Sequence, residues 1–493
     1  MYFSPILAAI CNASIQTGIV PSCLKSAVIT PILKKKNLDA GECKNYRPIS
    51  NLPFVSKLLE RVISSQLTFY LNFNQLLPEC QSAYRSLYST ESALLKVVSD
   101  LSLAADRGQL TILMMLDLSA AFDTVDHEIL LNRLNKSFGL SSTVLDWFRS
   151  YLHDRTQVVF SGCVLSNSSL MTCGVPQGSV LGPILFVLYT VDILDIIDRN
   201  GLLGHMYADD TQSYLHFNSN EVALALTRVQ ACFTELQCWM NSNKLVLNAS
   251  KTEIIIFGSQ HQLTKITVTS IALGEVNVPI SNSVRNLGVI FDSQLTFEQH
   301  SRQLSSSCFF QLRQLWSIRH TLSDSAAEIL VHAFVSSRLD YCNSLFLSCT
   351  KSVLDKLQRI QNAAARLVLR AKRYDSATPM LHQLHWLKIP QRVEFKSCLT
   401  TFKCLNGLSP SYLSNFCVPL STNSTRMNLR SVESGKLSVP KCKTVYYDDK
   451  SFPVAGPRMW NDLPTTIRHS QSVDIFKRNL KTYLFTRSFS GFS

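Results

Sequence analysis

Met206-Tyr207-Ala208-Asp209-Asp210 decides how the rest of the chain is read. Leu202 and Leu203 precede the two acids, and Tyr214 and Leu215 follow them. That pattern predicts strand, tight turn and strand, with the carboxylates at the tip. Asp suits such a turn because its side chain can bond its own backbone. Two adjacent anions repel, so a fold that withdraws them from bulk solvent usually has a cation to place there. Mg²⁺ suits the pair: it is hard, takes oxygen ligands, and binds through one or two carboxylates plus substrate phosphates. Taken alone, the pair also reads as a solvated surface turn.

A second stretch supplies a third acid. Thr111-Ile112-Leu113-Met114-Met115-Leu116 is an unbroken apolar run of the kind found in a buried central strand. It ends at Asp117, and Leu118-Ser119-Ala120-Ala121-Phe122-Asp123 follows. A carboxylate at a strand end can leave the sheet and face a cleft. Asp117 with Asp209 and Asp210 therefore predicts a three-carboxylate site for two metals. Two ions about 4 Å apart can activate an attacking hydroxyl and stabilise the leaving oxygen of an in-line phosphoryl transfer.

Other stretches supply groups for such a site. Gly174-Val175-Pro176-Gln177-Gly178-Ser179-Val180-Leu181-Gly182-Pro183 is a Gly/Pro loop opening a helix. Its glycines let backbone approach a ligand closely, and Gln177 is placed to steady an incoming nucleotide; an ordinary loop is the rival. Arg47, before Pro48, and Arg85, in Gln81–Ser86, are candidate triphosphate contacts, since guanidinium matches phosphate with two parallel donors. Surface salt bridges are the competing reading for both. Lys251, in Asn248–Thr252, is a candidate general acid toward departing pyrophosphate, or a surface lysine. Lys34-Lys35-Lys36 reads as a phosphate-facing patch, a nuclear-import signal or a solvated loop.

Composition bounds the class. With 493 residues, 46% of them hydrophobic, the chain has material for two or three domains and is not a disordered protein. A net charge of +13 suits an anionic polymer held around a metal centre, or a generally basic protein. Fifteen cysteines, an odd number with no Cys-x-x-Cys, read as reduced thiols of an intracellular protein. His382 and His385, beside Trp386, read as a packed structural pair. The apolar stretch from Val180 to Ile197 carries Asp192 and Asp195 and predicts a buried helix rather than a membrane span. No basic region precedes the first apolar residues, so no signal peptide is read.

The remaining segments are mostly helical in pattern. Residues 1–30 read as helix with a break at Gly18 and Pro21, and Val55, Leu58, Leu59, Val62 and Ile63 share a helix face. Glu221–Met240 is amphipathic, and helix patterns dominate 296–405. There Arg366, Arg370 and Arg373 share a face that either tracks phosphates or is simply solvated. Residues 406–493 read as loop-rich with short strands, ending in a basic helix from Val473 to Leu484.

Six stretches, in order, resemble the reverse transcriptase of a non-LTR (LINE-type) retrotransposon. They are Asn45–Ser50, Leu116-Asp117-Leu118 with Ala121-Phe122-Asp123, Gly174–Ser179, Tyr207–Asp210, Asn248–Thr252 and Leu287-Gly288. The likeness is strong over about residues 20–295; Leu384-His385-Trp386-Leu387 and Ala455–Asn461 resemble the C-terminal part of vertebrate-type elements. The resemblance implies an α+β right-hand polymerase: fingers over 1–110, a palm with an antiparallel sheet over 111–295, a helical thumb over 296–405, and the loop-rich region 406–493. It implies that Asp117 and Asp209 hold two Mg²⁺ ions (Mn²⁺ as a substitute), with Asp210 the weaker third ligand and the Leu118 carbonyl a backbone ligand. Phe122 falls on the family's steric gate, and Gln177 and Gly178 on its nucleotide-facing loop. RNA template, DNA primer and dNTPs are the implied partners, with assembly in the cytoplasm and action in the nucleus. Complete elements carry an endonuclease ahead of the polymerase. This chain starts at the edge of the fingers, so the expectation is a product lacking that nuclease, and it shows no ribonuclease H signature or zinc knuckle.

Overall fold

The computed structural model describes residues 3–119, 121–248, 251–347, 349–422, 435–442 and 451–490. Fifteen strands run through the described residues. The first seven are β1 (Ser26–Leu33), β2 (Tyr46–Asn51), β3 (Leu110–Leu116), β4 (Leu118–Ser119), β5 (Arg155–Ser161), β6 (Val164–Leu165) and β7 (Ser169–Met171). Then come β8 (Leu203–Tyr207), β9 (Asp210–Phe217), β10 (Val246–Leu247), β11 (Glu253–Phe257), β12 (Ser270–Leu273), β13 (Val276–Ser281), β14 (Ser283–Asn286) and β15 (Val289–Asp292).

The main sheet has the order β12-β13-β11-β3-β9-β8. β3 lies inside it, antiparallel to β9 and β11; only the β11–β13 pair within it is parallel. Its unbroken apolar run has a packing reason. Ile112, Met114 and Leu116 point into one core, with Leu215, Ile254, Ile256 and the helices of the first half. Leu113 points into the other, with Tyr214, Ile255, Phe257 and the helices beyond residue 296. A strand buried on both faces has no solvent side on which to place polar residues.

That second core reaches the end of the chain. Helices Ile389–Leu405, Phe452–Asn461 and Val473–Ser488 pack together, with Phe402 and Phe476 stacked at 4.3 Å and Trp460 beside Phe476 at 5.8 Å. The described part of 406–493 is therefore largely helical and shares the core on one face of the main sheet. His382 and His385 lie against Phe485 at 5.2 and 5.5 Å, the packed pair expected of them. The Val180–Ile197 stretch folds as two short buried helices, Gly182–Tyr189 and Ile193–Arg199. No helix among the described residues is long and apolar enough to cross a membrane.

A second sheet of five strands is separate from the main one. β1 pairs antiparallel with β2 and parallel with β5, which also pairs with β6 and β7. The helical pattern expected through residue 30 gives way at Pro21, and Ser26–Leu33 is extended. β5 lies more than a hundred residues downstream, so tertiary pairing overrides the local pattern here.

Candidate active site

Tyr207 pairs with Asp210, leaving Ala208 and Asp209 as a two-residue hairpin loop between β8 and β9. Such loops need positive φ, and Ala208 stands at +59° without being glycine. A buried neighbour supports it. Gln81, 2% exposed, accepts through Oε1 from the Ala208 N–H at 3.2 Å and from the Ala83 N–H at 3.0 Å. The Gln81 segment lies along the open edge of β8: Met206 N–H donates to the Cys80 carbonyl at 2.8 Å, and Ser82 N–H to the Met206 carbonyl at 2.9 Å. An edge strand is thereby covered and the hairpin fixed from the side.

Behind the hairpin, Ser82 Oγ lies 2.9 Å from His205 Nε2 and 2.9 Å from Tyr412 Oη, and the Tyr412 hydroxyl donates to Ser92 Oγ at 3.1 Å. Burial, with the field of Lys96, pushes the His205 imidazole down to about 3, so the ring is neutral. With its one proton on Nε2, the chain His205 to Ser82 to Tyr412 to Ser92 runs in a single donor direction. It is a structural tie from residue 412 to the strand that carries the turn.

β3 delivers the third acid. Leu116 pairs with Thr211, so Asp117 emerges beside Asp210. The Asp117 carbonyl accepts from Asn248 N–H at 2.9 Å, and Lys251 Nζ stands 3.2 Å from Asp117 Oδ2. Burial raises the Asp209 carboxyl, Asp117 adds to the rise, and the turn backbone and Arg47 oppose it. Asp210 is pushed up to about 6, by burial first and then by Asp209 and Asp117. The three carboxylates thus share one electrostatic neighbourhood at the sheet's mouth, and Asp117 remains 38% exposed in its ion pair. They do not close round a point: among the described residues no three His, Cys, Asp or Glu side chains are arranged to hold a metal ion. The donors are oxygen only; Lys251 pairs with Asp117 and Arg47 acts on Asp209, while Asp210 meets only burial and its two acidic neighbours, a chemistry that fits a hard dication.

The other expected residues fall on both sides of this mouth or away from it. Arg47 is exposed on β2, opposite Ile32, and its charge reaches Asp209. Gln177 holds the Gly loop to β2 through its carbonyl, which accepts from Ser50 N–H at 2.7 Å, while its side-chain Oε1 is buried without a partner. Gly178, at φ +116°, has the Ser50 carbonyl oxygen 2.9 Å from where a Cβ would stand. Phe122 is half-buried, its ring 5.0 Å from Phe186, and its carbonyl accepts from Val175 N–H. Leu118 lies in β4 against Leu247. Arg85 is engaged elsewhere: it donates to the Pro78 carbonyl at 2.6 Å and the Gln81 carbonyl at 3.2 Å, and stacks 4.2 Å over Tyr88. It fastens the loop that carries Gln81. Ala120 of the Leu118–Asp123 stretch, and Ala249 and Ser250 of the Asn248–Thr252 stretch, lie outside the described residues.

Three contributors escape the sequence reading. Gln81 is one. Glu60, 1% exposed, accepts from the Leu181 N–H at 3.2 Å and from the Val180 N–H, so it anchors the end of the Gly loop. Tyr84 is half-exposed, and its hydroxyl is raised by burial and by the charges of Asp209 and Tyr207, which places it at the mouth. For Gln81 and Tyr84 the available signal is the polar run Gln81–Ser86, where Arg85 is the one charged residue; Glu60 has no local signal, being an acid within a helical pattern.

A sheet whose central strands offer three carboxylates at one end, beside a strand that carries Arg47 and a Gly-rich loop, with helices beyond, is a right-hand polymerase fold. The chain belongs to the reverse transcriptase (RNA-dependent DNA polymerase) family, whose profile matches residues 32–291, and within it to the non-LTR retrotransposon type. It is similar to the probable RNA-directed DNA polymerase from transposon BS of Drosophila melanogaster, 29% identical over 78% of this chain and 43% of that one. It is similar also to those from transposon X-element (29%; 72% and 39%) and mobile element jockey (26%; 75% and 40%) of the same species. The chain spans about two fifths of the length of these relatives. Among solved structures it is loosely similar to apo telomerase from Candida tropicalis, with a TM-score of 0.43 and 12% identity over 79% of this chain and 68% of that one. Telomerase from Candida albicans gives 0.39 and 16% over 76% and 64%.

Proposed function

We propose that the chain is an RNA-directed DNA polymerase that adds dNTPs to a primer 3′-hydroxyl through a metal-assisted in-line transfer. The observation that carries this is the shared field of Asp117, Asp209 and Asp210, with Asp210 driven up to about 6 by burial and then by its two acidic neighbours. Asp117 and Asp209 would hold the metal ions, Asp210 would be the weaker ligand, and the Leu118 carbonyl would complete the set. Two Mg²⁺ ions, or Mn²⁺, would supply charge stabilisation at the attacking and leaving oxygens. The chain's own groups do the rest by positioning. Arg47 draws the triphosphate toward the mouth. Gln177, with a buried unpartnered amide oxygen, and Gly178, which lets backbone approach, line the nucleotide's place. Phe122 fills the space a 2′-hydroxyl would need, which is selection by clash. Lys251 Nζ gives a proton to pyrophosphate as it leaves. Arg85 acts on this site through the loop it holds.

RNA template and DNA primer would be held by shape and backbone contacts. The same reading puts the protein inside the cell, assembled in the cytoplasm and acting in the nucleus. Fifteen cysteines, an odd number with no Cys-x-x-Cys, are in keeping with reduced thiols in such a compartment. The rival, a remnant that binds nucleic acid without catalysis, draws on the unclosed carboxylate set. Primer extension on an RNA template with Mg²⁺ and dNTPs separates the two. Extension by the wild type, lost in Asp209→Asn, supports catalysis; a folded wild type that extends nothing supports the remnant, and activity surviving Asp209→Asn rejects the metal assignment.

A further inference from the structure

Helices Glu298–Ser317 and Lys351–Val368 pack through Leu312, Leu315, Leu357, Ile360, Ala364 and Leu367. That burial accounts for the apolar stripe of each helix, but not for Phe309 and Trp316, which stand 37% and 53% exposed. Together with Arg313 they form one face of the first helix, at positions four and three apart. Across from them stand Arg366 and, in the loop that follows, Arg373; between the two sides is an open depression of about 250 Å³ floored by Leu367.

We propose that this groove is a nucleic-acid site separate from the carboxylate mouth, and that its occupant is an unpaired strand. Bases would stack on Trp316 and Phe309, and phosphates would lie on Arg313, Arg366 and Arg373. Among the described residues none of these three arginines has an acid as ion-pair partner. Arg366 donates to the Asp375 backbone carbonyl at 3.0 Å, and the Asp375 carboxylate accepts from Lys372 N–H at 2.7 Å. Arg370, by contrast, is paired with Asp324 and bonded to the Leu322 carbonyl, so it is taken out of the basic face. The surroundings add charge: residues 296–405 hold fifteen Lys and Arg against seven Asp and Glu, a net +8 of the chain's +13. Alternating cations and exposed ring faces suit a single strand, whose bases are free to stack. A duplex keeps its bases paired inside and offers the rings no partner. The proposal rests on the polymerase reading only for the class of ligand.

The test uses the full chain and a fluorescein-labelled 12-nucleotide oligo-U, beside a hairpin duplex of equal charge. Three arginine contacts to a single strand account for a salt slope of about 2, so Arg313→Ala/Arg366→Ala/Arg373→Ala together should flatten the slope by that amount. Trp316→Ala should weaken the oligo-U by about tenfold and leave the duplex unchanged, with Trp316→Phe restoring most of the loss. Crosslinking to a bromouridine strand should map to the Trp316 peptide. Extension of a short primer–template should continue at the wild-type rate in all these variants. If oligo-U binding ignores Trp316→Ala, or falls equally for strand and duplex, or if the triple variant keeps its slope, the groove assignment is overturned. Should wild type neither extend a primer nor bind any strand, the polymerase reading falls with it; intact extension with indifferent groove variants overturns the groove alone.

Discussion

Asp210→Asn removes one charge from a crowded anionic mouth while keeping the size of the side chain. A carboxyl whose pKa is higher in the fold than in the unfolded chain favours the native state fully below its unfolded value, and that advantage is lost as pH rises through the folded value. For Asp210 the window runs from the ordinary 3.8 to about 6, so above it the ionised carboxylate opposes folding. A fully desolvated group displaced that far would contribute roughly 3 kcal/mol. Asp210 opens to solvent at the mouth, and screening reduces this to about 1 kcal/mol. Without metal, Asp210→Asn should therefore be more stable than wild type at pH 8, by on the order of 1–2 °C in a chain this long, and level with it at pH 4. Mg²⁺ should reverse the order at pH 8, because it stabilises only a site that keeps its ligands. Differential scanning fluorimetry at the two pH values, with EDTA and with 10 mM Mg²⁺, reads all four conditions. A variant equally destabilised at both pH values, or one stabilised by Mg²⁺ as much as wild type is, would refute the repulsion argument.

Three other outcomes follow from the geometry. Primer extension at limiting Mg²⁺ should rise with pH through about 6 as Asp210 ionises, and the midpoint should move lower as Mg²⁺ is raised; a midpoint indifferent to Mg²⁺ argues against Asp210 as a ligand. Phe122→Val should raise ribonucleotide incorporation relative to dNTP, measured by competition in single-nucleotide extension, and an unchanged ratio removes the gate assignment. Tyr412→Phe deletes a hydroxyl bonded to both Ser82 and Ser92, and should lower unfolding stability in urea by about 1–3 kcal/mol; a variant as stable as wild type would show that the tie behind the hairpin bears no strain.

Much of the palm is legible in the sequence because its signals are local. An apolar run ending in Asp117 predicts a central strand with an acid at its end, and the register from Leu110 to Leu116 places it as expected. Two strand patterns around Ala208 and Asp209 predict a hairpin, since turn chemistry and strand alternation are written in neighbouring residues. Buried polar residues behave differently. Gln81 is 127 positions from the turn it supports, and Tyr412 is 330 from Ser82. Neither has a distinctive neighbour in the chain. Arg85 shows the converse: its charge suggested a phosphate, yet carbonyls at Pro78 and Gln81 claim it. The extension of Ser26–Leu33 as a strand likewise depends on β5, far downstream.

The chain's own order of residues was enough to determine the family, the hairpin with its two acids, the strand that brings the third, and the Gly-rich loop. Tertiary structure alone decided which cations face the acids, that Arg85 is spent on a loop while Lys251 meets Asp117, and that the last helices complete the core on which the palm sheet rests. The reason is physical: a backbone preference is set by adjacent residues, whereas the charge a carboxylate carries and the partner a buried amide finds depend on whatever the whole fold packs beside them.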